Sequence, residues 1–328
     1  MKVLVIGYGS IGRRHIENLY TFSNIDILVC TKRKHDGFLK QKRCRVYDSV
    51  DKCIKEKPDA AIIANVTRLH MKTAIKLAKA GINLLIEKPL SDSINGAGIL
   101  LNETRKHNLI TMIGCNFRFN PCIRKIREII SKNQLGRILV VQAENGSYLP
   151  NWHPDEKYQT SYAARRNLGG GALLTSIHEI DYLYWFFGNV AEVFSITGQF
   201  SDLQISSDDL SIMSMRFKNN VVAQVHLDYF QRPDSRWCKI IGTRGTLYWN
   251  NNANEVKMYD IKKHKWITKI KLQNYDNNNM YLDELSHFLE CVSKKKQTLN
   301  PIYEGIETLK IALAAKYSSK IKKIVALS

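Results

Sequence analysis

Short segments of this chain join residue types that do chemistry to neighbours that would aim them. Gly7-Tyr8-Gly9-Ser10-Ile11-Gly12 follows the apolar run Lys2 to Ile6 and opens a helical pattern. In that context a G-x-G-x-x-G turn lets backbone N–H groups approach a pyrophosphate at the positive end of a helix. Gly7, Gly9, Ser10, Ile11 and Gly12 are therefore candidate dinucleotide contacts. About 20 residues on, where a carboxylate would receive a ribose 2′-hydroxyl, stands Cys30-Thr31-Lys32-Arg33-Lys34. A carboxylate repels a 2′-phosphate, whereas a hydroxyl followed by Lys and Arg binds it through charge-assisted hydrogen bonds. Thr31, Lys32 and Arg33 thus point to NADP, with NAD the alternative cofactor and a solvated turn the structural one.

Ala64-Asn65-Val66-Thr67-Arg68-Leu69-His70 leaves one apolar strand pattern, and Glu87-Lys88-Pro89 leaves the next. Open α/β sheets bind ligands at the carboxyl ends of their strands. Asn65, Thr67, His70, Glu87, Lys88 and Asn116 are accordingly candidates to line the cofactor. A further segment, Gly169-Gly170-Gly171 through Asp181, reads as a glycine hinge opening an apolar helix with Thr175, His178 and Asp181 on one face. Taken singly, Lys88 reads as well as a surface ammonium, and His178 as a hydrogen-bonded core histidine.

The elements that must position these residues follow from hydrophobic periodicity. Strand patterns at Lys2 to Ile6, Ile25 to Cys30, Asp59 to Ala64, Asn83 to Ile86 and Ile110 to Ile113 are joined by helical patterns at Ser10 to Tyr20, Leu69 to Ala80 and Ser93 to Asn108. This alternation predicts an α/β fold whose N-terminal part, residues 1–120, is a doubly wound parallel sheet of the Rossmann type. After Asn120-Pro121 a helix at Ile123 to Lys132 precedes strands at Ile138 to Glu144, Val190 to Gly198, Asp209 to Phe217, Val221 to Tyr229 and Trp237 to Gly242. Helices return at Met280 to Lys294 and Tyr303 to Ala315. Residues 121–328 are thus expected to form a second domain with an antiparallel or mixed sheet.

Composition narrows the function classes. The 328 residues suffice for two cores, and 44% hydrophobic with 24% charged residues is a globular balance. The seven cysteines include no C-x-x-C pair and the histidines no H-E-x-x-H, so no metal site is expected. The formal charge of +19 is carried by scattered lysines without aromatic interleaving, which argues against nucleic acid while favouring anionic small ligands. No apolar run reaches the length of a bilayer span, and the N-terminus lacks a signal-peptide pattern; a cytoplasmic protein with no membrane partner is expected.

In their order along the chain, these motifs closely resemble the Gfo/Idh/MocA oxidoreductases. The resemblance takes in Gly7 to Gly12, Asn65 to His70, Glu87-Lys88-Pro89, Asn116-Phe117-Arg118-Phe119-Asn120-Pro121, the triple glycine with His178 and Asp181, and Gly242-x-x-Gly245. It implies a Rossmann domain followed by a substrate-binding and oligomerisation α/β domain, residues 121–328, with an open, mainly antiparallel sheet, and the dehydrogenation or reduction of sugars and related alcohols. It also implies that Lys88 sits beside the reacting hydroxyl and that His178 accepts its proton. Those types suit the task, because hydride loss from a carbinol carbon requires the hydroxyl proton to leave. One departure stands out: where the family commonly has an aspartate about one helical turn before the histidine, this chain has Thr175. Asp181, three residues after His178, is expected to take over part of the orienting role, with an ion pair to an arginine as its structural alternative.

Tyr148 to Pro154 and Tyr158 to Arg166 form a long polar-aromatic loop. Trp152 and Tyr162 suit stacking on a sugar or base, and Arg165 and Arg166 suit bidentate contacts with phosphate or carboxylate. Together with Arg118, Lys88 and His178 they are the candidate substrate contacts, and an anionic sugar, foremost a nucleotide sugar, is the expected substrate. Packing of this loop against a neighbouring subunit is the alternative. Two other functions fit the resemblance: a biliverdin-reductase-like reductase and a non-catalytic dinucleotide-binding regulator. The regulator would be expected to lose Lys88 or His178, and both are present. An open sheet with one uncovered face further predicts a homodimer or homotetramer.

Overall fold

The structure is a computed structural model that describes residues 1–32, 37–42, 44–153 and 156–327. The chain divides into two units, residues 1–116 with 278–306 and residues 117–277 with 307–328.

The first unit is built on β1 (Lys2–Ile6), α1 (Ser10–Leu19), β2 (Asp26–Cys30), α2 (Gly37–Gln41), β3 (Arg45–Tyr47), α3 (Val50–Lys55), β4 (Ala60–Ile63), α4 (Thr67–Lys79), β5 (Asn83–Glu87), α5 (Ala97–Lys106) and β6 (Thr111–Gly114). The strands pair in the order β3-β2-β1-β4-β5-β6, all in parallel. The central strands are unbroken apolar runs because they are buried throughout: Val3, Leu4 and Val5 in β1 and Ala60 to Ile63 in β4 have no exposed surface. Strand order reverses between β1 and β4, and the glycine loop after β1 and the Asn65 loop after β4 flank that point. The expected parallel sheet is present. β3 and the short α2 and α3 had no counterpart in the periodicity.

The second unit contains α6 (Pro121–Ser131), β7 (Ile138–Gly146), α7 (Ala172–Thr175), α8 (His178–Phe187), β8 (Val190–Gly198), β9 (Leu210–Phe217), β10 (Val222–Asp228), β11 (Ser235–Gly242), β12 (Gly245–Asn250), β13 (Glu255–Asp260) and β14 (Lys265–Lys271). Asn120 caps α6, its Oδ1 accepting from the N–H of Cys122 at 2.8 Å, and Pro121 occupies the first turn where no donor is needed. α9 (Asn278–Lys294), α10 (Ile302–Ile321) and β15 (Val325–Ala326) close the chain. The second sheet runs β14-β13-β12-β11-β7-β10-β9-β8-β15 and is antiparallel except for the parallel pair β7 and β10. Met213, Met215, Phe217, Ala223, Val225 and Leu227 bury one face, whereas Phe194, Ile196, Ile212 and Val222 on the other are 40, 50, 43 and 39% exposed.

The division departs from the expected one in two places: residues 117–120 pack with the second unit, and residues 278–306 with the first. α9 buries Met280, Leu285 and Phe288. The carbonyl of Asn300 accepts from the Ile113 N–H at 2.8 Å, and Thr298 Oγ1 donates to the Thr111 carbonyl at 2.6 Å, which extends the edge strand β6. Among the described residues no helix is long and apolar enough to cross a membrane.

Candidate active site

In the first unit the glycine loop is closed on one side and open on the other. A Cβ on Gly7, whose φ is +99°, would lie 2.5 Å from the Ala64 carbonyl oxygen, and one on Gly12 would lie 2.2 Å from that of Gly7. Only glycine permits this approach. A Cβ on Gly9 would meet nothing within 4 Å. The Gly9 carbonyl accepts from the Arg13 N–H at 2.9 Å, so α1 begins directly at that open side, with Ser10 exposed and Ile11 half-buried. At the end of β2, Thr31 is half-buried with its N–H bonded to the Tyr47 carbonyl at 2.9 Å, and Lys32 is exposed. Arg33 lies outside the described residues.

The loops after β4 and β5 are tied to each other by His70. Its Nδ1 lies 2.9 Å from the Pro89 carbonyl oxygen and its Nε2 2.9 Å from that of Asn65. Burial holds the imidazole below its ordinary pKa, against the opposing pull of the two carbonyls. His70, expected among the cofactor contacts, therefore directs both ring nitrogens at backbone and sets the distance between the loops. Glu87 also turns inward: its Oε1 lies 2.6 Å from His15 Nε2 in a buried pair, in space that the missing side chain of Gly114 leaves open. Burial, reinforced by the Glu87 carboxylate, pushes the nearby Tyr281 hydroxyl up to about 12. Lys88 is half-buried and the Lys88–Pro89 bond is cis. Thr67 is buried at the start of α4, and Asn65 Nδ2 donates to Thr73 Oγ1 at 3.2 Å.

Among the buried polar atoms of this unit without a hydrogen-bond partner are Asn65 Oδ1 and Asn116 Oδ1, in the segments after β4 and β6. Buried polar atoms are rarely left so without a ligand to meet them. With the open face at Gly9, they make this unit fit a dinucleotide. The residues that would hold it are Gly7 to Gly12, Asn65 and Asn116.

In the second unit the triple glycine is required by close packing. A Cβ on Gly170 would lie 2.1 Å from the Tyr162 carbonyl oxygen, and one on Gly171, at φ +121°, would lie 2.4 Å from Asp208 Oδ1. Asp208 Oδ2 accepts from the Leu173 N–H at 3.0 Å and holds the start of α7. The single helix expected over Ala172 to Asp181 is two: α7 ends at Thr175, and Ser176 leaves the helical region at φ −95°, ψ 32°. Ser176 Oγ accepts from Asn145 Nδ2 at 3.0 Å, anchoring that break to β7. Thr175 consequently does not share a continuous helical face with His178, and the expectation that it does is corrected.

His178 opens α8 and is buried. The Phe117 ring lies 4.9 Å from it, centroid to centroid, and the Arg236 guanidinium sits 3.8 Å from the Phe117 centroid. Arg236 in turn forms a two-pronged pair with the buried Glu179, at 2.7 and 3.0 Å. Asp181 takes its structural alternative, since both carboxylate oxygens accept from Arg118, at 2.9 and 2.8 Å, with both side chains sealed from solvent. Arg118, expected to touch substrate, is thereby engaged in the interior. Burial pushes the Tyr229 hydroxyl well up.

The described parts of the aromatic loop contain short helical turns at Leu149–Asn151 and Tyr158–Thr160. Trp152 donates from Nε1 to Ser147 Oγ at 2.8 Å and meets Tyr229 edge-on at 5.2 Å. Its indole belongs to a small core with Leu149, Ala163, Ala164 and Ala172, not to an open stacking surface. Tyr162, Arg165 and Arg166 are exposed or nearly so, and Arg165 Nε donates to the Gln159 carbonyl at 3.1 Å. Among the described residues no group of three or more His, Cys, Asp or Glu is arranged to hold a metal ion.

An NAD-type Rossmann unit and a sheet unit carrying a buried histidine define the class, and comparison with known proteins agrees. Residues 1–115 match the "Oxidoreductase family, NAD-binding Rossmann fold" and residues 123–248 match the "GFO/IDH/MocA C-terminal domain". The chain belongs to the Gfo/Idh/MocA oxidoreductase family. It is 25% identical to a myo-inositol 2-dehydrogenase of Thermotoga maritima over 100% of this chain and 98% of that protein. Among solved structures, levoglucosan dehydrogenase in complex with NADH has a TM-score of 0.89 at 18% identity, covering 100% of this chain and 99% of that one. The WlbA dehydrogenase from Bordetella pertussis, in complex with NADH and UDP-GlcNAcA, has a TM-score of 0.85 at 17% identity, covering 100% and 98%. At those identities the two structures share the fold.

The residues that sequence reasoning missed are Phe117, Glu179, Arg236 and His15. His15 had a local signal, a polar residue on the apolar face of α1 one turn after Gly12. Arg236 had none, being 57 residues from Glu179.

Proposed function

We propose that this protein transfers a hydride between a nicotinamide dinucleotide, preferring NADP(H), and a CH–OH carbon of a sugar or polyol bearing an anionic group, foremost a nucleotide sugar. The observation that carries the reading is the combination of a glycine loop open only at Gly9 with a lysine at the end of β5 and a buried histidine at the start of α8. Relatives named for inositol and levoglucosan support the polyol and sugar class.

The dinucleotide, when bound, supplies the hydride acceptor or donor. Lys88 stabilises negative charge as it develops on the substrate oxygen. His178 takes the hydroxyl proton in oxidation and returns it in reduction. Thr31 and Lys32 favour the 2′-phosphate through charge-assisted hydrogen bonds. Arg165 and Arg166 offer guanidinium groups to an anionic substrate. The exposed Phe194, Ile196, Ile212 and Val222 support association of copies through the open sheet face, as a homodimer or homotetramer. Seven free cysteines accord with action in the cytoplasm.

The test is a panel of neutral sugars, polyols, sugar acids and nucleotide sugars assayed with each dinucleotide, with Lys88→Ala and His178→Asn beside the wild type. Both variants are expected to lose about 10²- to 10⁴-fold in kcat while binding dinucleotide normally. Wild-type kcat in His178→Asn would overturn its assignment. A preference for neutral sugars unaltered by Arg165→Ala would overturn the anionic substrate.

A further inference from the structure

We infer that Phe117, Arg236 and Glu179 are positioning residues that fix the orientation of the His178 imidazole. The inference rests on the proposed role of His178 in proton transfer.

The contacts form a closed circuit. From the His178 ring the path runs to Phe117 at 4.9 Å, with the two planes tilted by 44°, and from Phe117 to the Arg236 guanidinium at 3.8 Å. From Arg236 it runs through two hydrogen bonds to Glu179, and from Glu179 through a single peptide link back to His178. Every member is buried or nearly so: Phe117 is 7% exposed, His178 7%, Glu179 0%, and the Arg236 side chain 16%. A second tie runs parallel to it, since Arg118, adjacent to Phe117, grips Asp181 on the first turn of α8.

This geometry settles a degree of freedom that the backbone leaves open. A histidine ring turns broadly about its last side-chain bond unless something bears on its face. Phe117 bears on the ring, and it cannot retreat because the Arg236 guanidinium lies against it. That guanidinium is planar and held in a fork, so it cannot swing away without stranding the buried Glu179. The circuit is also balanced in charge. Glu179 and Asp181 on α8 are matched by Arg236 on β11 and Arg118 before α6, so the imidazole works beside two neutral pairs.

The balance gives the test a signature that loss of packing would not produce. Arg236→Met leaves the Glu179 carboxylate unopposed near the imidazole, whereas Glu179→Gln leaves the cation unopposed. The titration midpoint of His178, followed by NMR of histidine-labelled protein with its cross-peak identified by its absence in His178→Asn, should rise in the first and fall in the second. Each shift should be on the order of half a unit. Phe117→Leu should leave the midpoint in place, shift the His178 ring-proton resonances by removing the aromatic ring current, and lower kcat about 10- to 100-fold, as a misplacement of about 1 Å does. Substrate KM should change by less than about threefold, and Phe117→Tyr should recover most of the rate.

A double variant, Arg236→Met with Glu179→Leu, removes both charges and keeps the test open if either single variant fails to fold; its midpoint should match the wild type. Unmoved His178 resonances in Phe117→Leu, or midpoints moving the same way in both charge variants, would overturn the inference. These NMR outcomes do not depend on turnover. Wild-type kcat in His178→Asn would overturn the proton-transfer role separately, and with it the catalytic meaning of the circuit.

Discussion

Replacing Asp181 by leucine should cost this protein a large part of its stability, and the geometry sets the scale. The Arg118 and Asp181 side chains are 0 and 1% exposed and are joined by two hydrogen bonds of 2.9 and 2.8 Å. Both charges have left water, so their attraction is offset by desolvation and the pair adds little net stability. Removing one partner is another matter, because the remaining buried charge then loses both of these hydrogen bonds, at about 3–5 kcal/mol. Arginine cannot relieve this by giving up a proton, so Asp181→Leu should bear the full cost at every accessible pH. Arg118→Met leaves a carboxylate that can take up a proton, so its cost should shrink as the pH falls. The double variant Arg118→Met with Asp181→Leu removes both charges and should recover most of the loss. For a unit of this size, 3–5 kcal/mol corresponds to roughly 6–20 °C in Tm. Calorimetry and urea unfolding of the three variants at pH 5, 7 and 9 measure all of these quantities. Less than about 1 kcal/mol lost in Asp181→Leu, or a double variant no more stable than that single one, would refute the reasoning.

Other substitutions probe the dinucleotide loop and the sheet. Gly12→Ala places a Cβ 2.2 Å from the Gly7 carbonyl oxygen, an immovable backbone atom, and the displaced loop should bind dinucleotide at least about tenfold more weakly in a fluorescence titration, with circular dichroism unchanged. If the proposed NADPH preference holds, Thr31→Asp should reverse it in favour of NADH, since each charge-assisted bond to the 2′-phosphate contributes about 1.5–3 kcal/mol; equal affinities in the wild type would refute the premise. His226 is held above its ordinary pKa by its 2.9 Å contact with Asp228, against the opposing effect of burial. Its contribution should be fully present below the unfolded-state pKa of about 6.5 and lost as the pH rises through the folded value. Urea unfolding should therefore separate His226→Gln from the wild type at pH 5.5 and not at pH 9.

The two-part architecture was legible because burial leaves a periodic mark. β1, β4 and β5 are buried on both faces and read as unbroken apolar runs, whereas β9 and β10, buried on one face, alternate. The glycine loop was legible for a related reason: contacts at 2.2 and 2.5 Å admit no side chain, so the geometry prescribes the residue. β3 left no mark because three residues, Arg45 to Tyr47, at the edge of a sheet bury too little to shape their composition. β13 and β14 escaped notice because lysines line the outer hairpin, where solvent accepts them. α9 looked like part of the second domain by position alone, and only its packing assigns it to the first unit.

The sequence by itself determined which side chains are available: a lysine after β5, a histidine after a triple glycine, a threonine three residues before that histidine, and a basic turn after β2. Only the tertiary structure decided whom they face. Asp181 could orient His178 or pair with an arginine; Arg118, 63 residues away, took it. His70 was a candidate cofactor contact, and the fold sets its two ring nitrogens 2.9 Å from the carbonyl oxygens of Pro89 and Asn65. Arg236, 57 residues along the chain from Glu179, came to it and to Phe117. Periodicity records how much of a side chain leaves water, summed over a segment. The partner of a buried charge is chosen by distances of about 3 Å in the folded molecule, and no spacing along the chain encodes them.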